Sequence, residues 1–166
     1  MMLKYLTVQN LLGKAYIWAR SVNASQQLTS GIWLEDWSEH EKMKSIWKLQ
    51  LEQSDVIYFH NYNNAEDFEK RILWLQRYDR PILCTKYMAR SKRCTFEDFL
   101  PAAKKYNVAM FNWGLVDGKT QTKYPWDSWI KTYNEEPTVR FHEVFKSDGT
   151  PYRKAETELI KKLTAN

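Results

Sequence analysis

Apolar residues along this chain fall into two alternating kinds of segment. Four short runs are rich in β-forming residues and bounded by polar ones: LTSGIW at 28–33, VIYFH at 56–60, PILCT at 81–85 and VAMFNW at 108–113. Between them apolar residues recur at helical spacing. Met43, Ile46, Trp47, Leu49 and Leu51 mark one helix ending near Ser54 and Asp55, and Phe68, Ile72, Leu73 and Leu75 mark a second that opens at Asn64. Thr95-Phe96-Glu97-Asp98 has the form of a capping sequence and opens a third, carrying Phe99, Leu100 and Ala103. A leading helix over 8–22 and a closing helix over 155–163 frame the set. Continuously apolar strands alternating with helices predict an α/β fold, a parallel sheet covered by helices.

The strand starts lie about 25 to 28 residues apart, close to the ~31-residue repeat of an eight-fold βα barrel. The chain reads as a single domain over 1–166, and four strands do not close a barrel, so the spacing leaves open both a partial (β/α) TIM barrel of about four βα units and a doubly wound open sheet. Only five glycines occur, and none forms a GxGxxG or Walker pattern, so a dinucleotide or nucleotide phosphate loop is not expected. One connection breaks the helical pattern: the run from Gly114 to Trp129 is long, polar and aromatic, and it follows a strand end. Loops of that kind carry function more often than connections of ordinary length.

Charge and cysteine content narrow the partners. The net charge of +5 is spread over helix patterns such as Glu41-Lys42-Met43-Lys44 and Glu69-Lys70-Arg71, which reads as solvated faces, with no nucleic-acid partner. The densest basic spot, Arg90-Ser91-Lys92-Arg93, is assigned to a loop. Cys84 and Cys94 lack CxxC spacing, and His40, His60 and His142 lack HExxH spacing, so neither a metal site, a cofactor nor a disulfide framework is expected. Cys84 reads as a buried strand thiol and Cys94 as a loop residue. Gln9, Asn10 and Lys14 interrupt the apolar N-terminus, and no run reaches the ~20 apolar residues of a membrane span. As written, the chain is expected in the cytoplasm, away from membranes.

Aromatic content is the unusual feature: eight Trp, ten Tyr and seven Phe make up 15% of the residues. Flat rings can fill a core, a partner surface or a sugar cleft, where the apolar face of a pyranose stacks on an indole. The strand ends carry the candidate chemistry: His60-Asn61-Tyr62, Thr85-Lys86-Tyr87 and Asn112-Trp113-Gly114. In a parallel barrel such ends converge on one mouth.

The segments TSGIW, FHNY, RPILCTKYMAR, YNVAMFNWGLVDGKTQTKYPWDSW and SDGTPY resemble the last four βα units of clan A glycoside hydrolases, in particular family 5-like, cellulase-like enzymes. The resemblance spans about residues 11–163 and implies the C-terminal half of the barrel, with β-linked polysaccharides as the substrate class and export for full-length relatives. It puts the nucleophilic Glu of the family between Thr and Tyr, where this chain has Lys86. It matches the His and Tyr of the preceding strand to His60 and Tyr62, the Tyr hydroxyl bonding the nucleophile, and the sugar-stacking Trp to Trp113. The acid/base Glu of the family would precede residue 1. Retaining hydrolysis needs two carboxylates ~5–5.5 Å apart, so the resemblance implies a chain unable to cut alone.

Lys86 has three readings: a degenerate residue, an ammonium in a repurposed binding cleft that bonds sugar hydroxyls or an acidic sugar, or a one-base sequence error. Trp33 and Trp126 join His60, Tyr62 and Trp113 as expected oligosaccharide or polysaccharide contacts, with Trp37 and Trp129 as further platforms. Trp18, Trp47 and Trp74 follow helical patterns and are expected against the strands, while Glu35, Glu135 and Glu136 are assigned to loops. A non-catalytic carbohydrate-binding or partner module is the alternative function. Half a barrel leaves edges and an apolar inner face bare, which predicts self-association, pairing with a separately encoded N-terminal half, or poor stability.

Overall fold

The computed structural model describes residues 2–33 and 44–165, with side chains from Tyr5 onward. Trp37, Glu35, His40 and Met43 lie outside the described residues. The elements are α1 (Met2–Ser21), α2 (Ser45–Gln53), β1 (Ile57–His60), α3 (Ala65–Leu75), β2 (Ile82–Lys86), α4 (Phe96–Lys105), β3 (Ala109–Met110) and α5 (Lys154–Thr164). The three strands form one parallel sheet in the order β1-β2-β3. The α/β class and the alternation of strands with helices are as the pattern predicts.

Two strands are shorter than expected. The 28–33 run contributes a single parallel bridge, Ile32 to Phe59, held by Ile32 N–H on the Tyr58 carbonyl (3.1 Å) and His60 N–H on the Ile32 carbonyl (3.3 Å). The run holds Ser30 and Gly31, poor strand formers, and its backbone is tied instead to side chains: Gln50 Nε2 donates to the Gly31 carbonyl (2.7 Å) and Leu28 N–H to Asp55 Oδ2 (2.8 Å). The 108–113 run is strand only at Ala109 and Met110, opposite Leu83 and Cys84, and its last tie to β2 is Phe111 N–H on the Cys84 carbonyl (2.8 Å). The other two runs are displaced by a single residue.

Helices cover one face of this sheet. Ile57 and Phe59 of β1 and Ile82 and Cys84 of β2 are buried, while Tyr58, His60, Leu83 and Thr85 between them are only partly covered. The core runs outward through rings: Phe59 stacks on Phe68 of α3 (centroids 5.9 Å), which meets Phe99 of α4 edge-on (5.0 Å). Each such buried side chain contributes about 1.5–3 kcal/mol relative to exposure. The opposite face ends in Phe111, 53% exposed. Within the described residues burial along β1 and β2 alternates with period two, as in half-covered strands.

Local signals explain the helices. Asn64 caps α3, its Oδ1 accepting from Asp67 N–H at 2.8 Å. Before α4, Thr95 bonds the Asp98 carboxylate (2.8 Å) and leaves the backbone uncapped, so the capping sequence does its work between side chains. Helix α1 begins earlier than predicted and is fixed through Tyr16, whose hydroxyl is 2.9 Å from Ser54 Oγ, and Arg20, which pairs with Asp55 at 3.0 Å. Trp47 and Trp74 are buried as expected, but Trp18 is 57% exposed, on a stripe with Val8, Leu11 and Val22 that no described residue covers. No described helix is long and apolar enough to cross a membrane.

Candidate functional site

The C-terminal ends of the strands carry Trp33, His60, Lys86 and Trp113, and the sheet register explains how they meet. Phe59 lies opposite Cys84, but His60 lies opposite Lys86, so β2 holds one extra residue, Thr85, at this point. Strict alternation would send Lys86 to the helix-covered face with Ile82 and Cys84. The bulge returns it to the bare face beside His60 and sends Tyr87 inward, where it is 3% exposed. Bulges bend a strand and re-aim its side chains, and in parallel pairs they are rare. Beyond the bulge the ladder resumes through Asn61 N–H on the Lys86 carbonyl (2.9 Å).

Lys86 Nζ sits over the Trp113 ring, 4.6 Å from its centroid. Trp33 and His60 rings lie 6.0 Å apart. Trp33 and Trp113 are 55% and 52% exposed, so both keep a free face. Burial lowers the His60 pKa, with the Lys86 charge adding to it, to about 4. His60 is thus a neutral imidazole at pH 7, and Lys86 supplies the positive charge of this mouth. Among the described residues no carboxylate lies within ion-pair distance of Lys86 Nζ.

Tyr62 and Trp126 belong to a neighbouring cluster. Their rings meet edge-on at 4.8 Å, and Trp126 meets Phe141 likewise at 5.0 Å. Asn61 sets this turn: its Nδ2 donates to Asp67 (2.8 Å) and its Oδ1 accepts from Asn63 N–H (2.9 Å). The Tyr62 hydroxyl bonds no described residue, Lys86 included, and burial raises its pKa. Trp129 is 87% exposed and stands apart from both clusters.

The loop after β3 closes behind the mouth. Gly114 has φ +99°, and a Cβ there would lie 2.6 Å from Thr122 Oγ1 and 3.2 Å from His142 Cβ, so only glycine permits the fold-back. Asn112 Nδ2 then bonds the carbonyls of Gly114 (2.7 Å) and His142 (3.0 Å). His142, buried, has Nδ1 2.6 Å from the Met88 carbonyl, which can only accept, so Nδ1 carries the proton and Nε2 is a buried acceptor without a described partner. Five charged residues of this loop pair with one another. Lys123 pairs with Asp117 (3.2 Å) and Glu136 (2.6 Å), and Arg140 with Asp117 (3.0 Å) and Glu136 (3.1 Å). Arg90, read from sequence as part of a basic loop, is instead buried against Glu156 of α5, with Nε at 2.8 Å, and its Nη2 also donates to the Glu143 carbonyl (2.7 Å).

Sequence reasoning missed His142 and the Arg90–Glu156 pair, whose partners lie 54 and 66 residues away. No local signal announces contacts of that range. Burial pushes the thiol pKa of Cys84 up to about 12 and that of Cys94 up to about 11, which leaves both protonated and poorly nucleophilic at pH 7. Cys94 is buried, not a surface loop residue, its Sγ 3.1 Å from the Tyr62 carbonyl. Among the described residues no group of three or more His, Cys, Asp or Glu is arranged to hold a metal ion. No family model, curated protein or solved structure matches this chain.

Proposed function

We propose that this chain is part of a glycoside-hydrolase-like βα barrel, the C-terminal half of one, whose strand-end mouth binds oligosaccharide without cleaving it. One observation carries the reading: at the position where the resemblance expects an attacking Glu, the bulge presents Lys86 on the open face between His60 and Trp113. An ammonium cannot attack an anomeric carbon while protonated, and it repels the oxocarbenium charge that develops there. Four carboxylates that follow β3 offer no substitute: Asp117 and Glu136 in the loop and Glu156 on α5 are engaged by cations, and Glu143 is wholly buried. What remains is what binding needs: two half-exposed indoles, a neutral imidazole and a charged donor around one opening.

The test compares wild type with Lys86→Glu on aryl β-glycosides and on β-glucan, xylan and mannan oligosaccharides. Binding is followed by Trp fluorescence. The expected result is saturable quenching by at least one oligosaccharide and no hydrolysis by either protein. Hydrolysis by wild type overturns the non-cleaving assignment, and silence across the panel overturns carbohydrate binding.

A second observation favours an assembled form. Parallel sheets are almost always covered on both faces, and here, among the described residues, one face from Tyr58 to Phe111 is only partly covered. Counting the Ile32 bridge, four strand positions run in sequence order, and about eight close a barrel. A second copy turned about an axis along the strands would set its Ile32 edge against β3 and keep every strand parallel. Light scattering is expected to give a dimer that Phe111→Asp dissociates; a stable wild-type monomer refutes this.

A further inference from the structure

Resting on the carbohydrate reading of this same mouth, we propose that it selects an acidic saccharide, a uronate whose carboxylate pairs with Lys86 while its ring lies on Trp33 or Trp113. The other cations near the loop after β3 that are not exposed, namely Arg90, Lys123 and Arg140, each lie against a carboxylate. Lys86 has none among the described residues, and its Nζ rests on the face of an indole. A half-covered ammonium in a mouth lined by rings is short of an anionic partner, because the ring quadrupole repays only part of the lost hydration.

The surroundings fix what kind of anion fits. A bare phosphate or sulfate would meet Lys86 alone, since neutral His60 adds no charge and the mouth offers no arginine fork. The exposed faces of Trp33 and Trp113 instead call for a flat apolar surface a few ångströms from the charge. A pyranose carrying a carboxylate at C6 unites the two. His60 can then donate to or accept from a ring hydroxyl, a role open only to an uncharged imidazole. The bulge at Thr85 is what makes the site, because it places the charge on the side where the indoles stand.

The experiment titrates the full chain with oligogalacturonate and with oligoglucuronate, each beside its carboxyl-reduced neutral counterpart, at low and at 0.5 M salt. Wild type should bind one acidic oligomer about tenfold more tightly than the neutral one, the size expected for one charge-assisted contact, with the gap narrowing in salt. Lys86→Met should erase the preference while still binding the neutral oligomer, and Lys86→Arg should keep it. Near-UV circular dichroism checks that the variants keep wild-type packing around their tryptophans. Equal affinity for acidic and neutral oligomers, or a preference that survives Lys86→Met, overturns the uronate assignment and leaves carbohydrate binding intact. Tighter binding of inorganic phosphate than of either uronate overturns it as well. Failure to bind any of the four oligomers overturns both.

Discussion

Acid should destabilise this protein through His142 as pH falls from about 6.5 toward 4. Its imidazole is 2% exposed, donates from Nδ1 to the Met88 carbonyl, and has no described acceptor facing Nε2. Burial is the main cause that lowers its pKa from 6.5 to about 4; the Met88 bond pulls the other way, and the Arg90 and Lys86 charges reinforce the depression. A folded pKa below the unfolded one means that the unfolded chain takes the proton first. The stability His142 contributes is therefore whole above pH 6.5 and drains as pH falls toward 4. Linkage between those two values gives a loss of about 2 kcal/mol from pH 7 to pH 5. His60 shifts in the same direction, whereas Glu143, whose pKa burial raises, opposes it. The informative quantity is thus the difference between wild type and His142→Gln in urea unfolding at pH 5, 6, 7 and 8. The variant should be less stable at pH 7 but flatter with pH. Parallel pH slopes, or an imidazole NMR titration with a midpoint near 6.5, would refute the reasoning.

Three further outcomes follow from the packing. Glu156→Gln or Arg90→Met should each cost about 3–5 kcal/mol in urea unfolding, since each strands a buried charge or donor set, while the paired apolar replacement should cost less than the sum. Gly31→Ala would place a Cβ 2.0 Å from the Tyr58 ring; it should cost about 1–3 kcal/mol in thermal melts, and adding Tyr58→Ala should recover part of that. Native Cys84 and Cys94 should react with a thiol reagent at pH 8 far more slowly than in 6 M guanidinium; equal rates would contradict their burial.

How much of this was legible in the chain depended on the range of the interaction. Asn64 capping α3, the apolar face of Phe68 and Ile72, and the strands near 57–60 and 82–86 all follow from neighbours within a few positions, and the pattern located them. The 28–33 run misled because apolar content says nothing about whether a backbone will find a partner, and Gln50 and Asp55 supply that partner from a distance. Trp18 misled because helical spacing identifies a stripe without saying whether anything covers it. His60, Lys86 and Trp113 were recognisable as strand-end residues, yet their meeting depends on a register shift that no single strand encodes. Tyr62 and Trp126 were grouped with them by type, and the structure puts those two together beside His142.

That register shift has a consequence for how such a surface can change over generations. Side chains elsewhere in β2 keep their facing because Ile82 and Cys84 are held by the core. At the bulge, facing is decided by counting. Loss of the one codon for Thr85, the extra residue, would place Lys86 directly after Cys84, so regular alternation alone would keep Lys86 on the open face and Tyr87 inward. The chemistry displayed at this opening is therefore buffered against loss of that residue, and lineages one residue shorter there should display the same lysine on an unbulged strand.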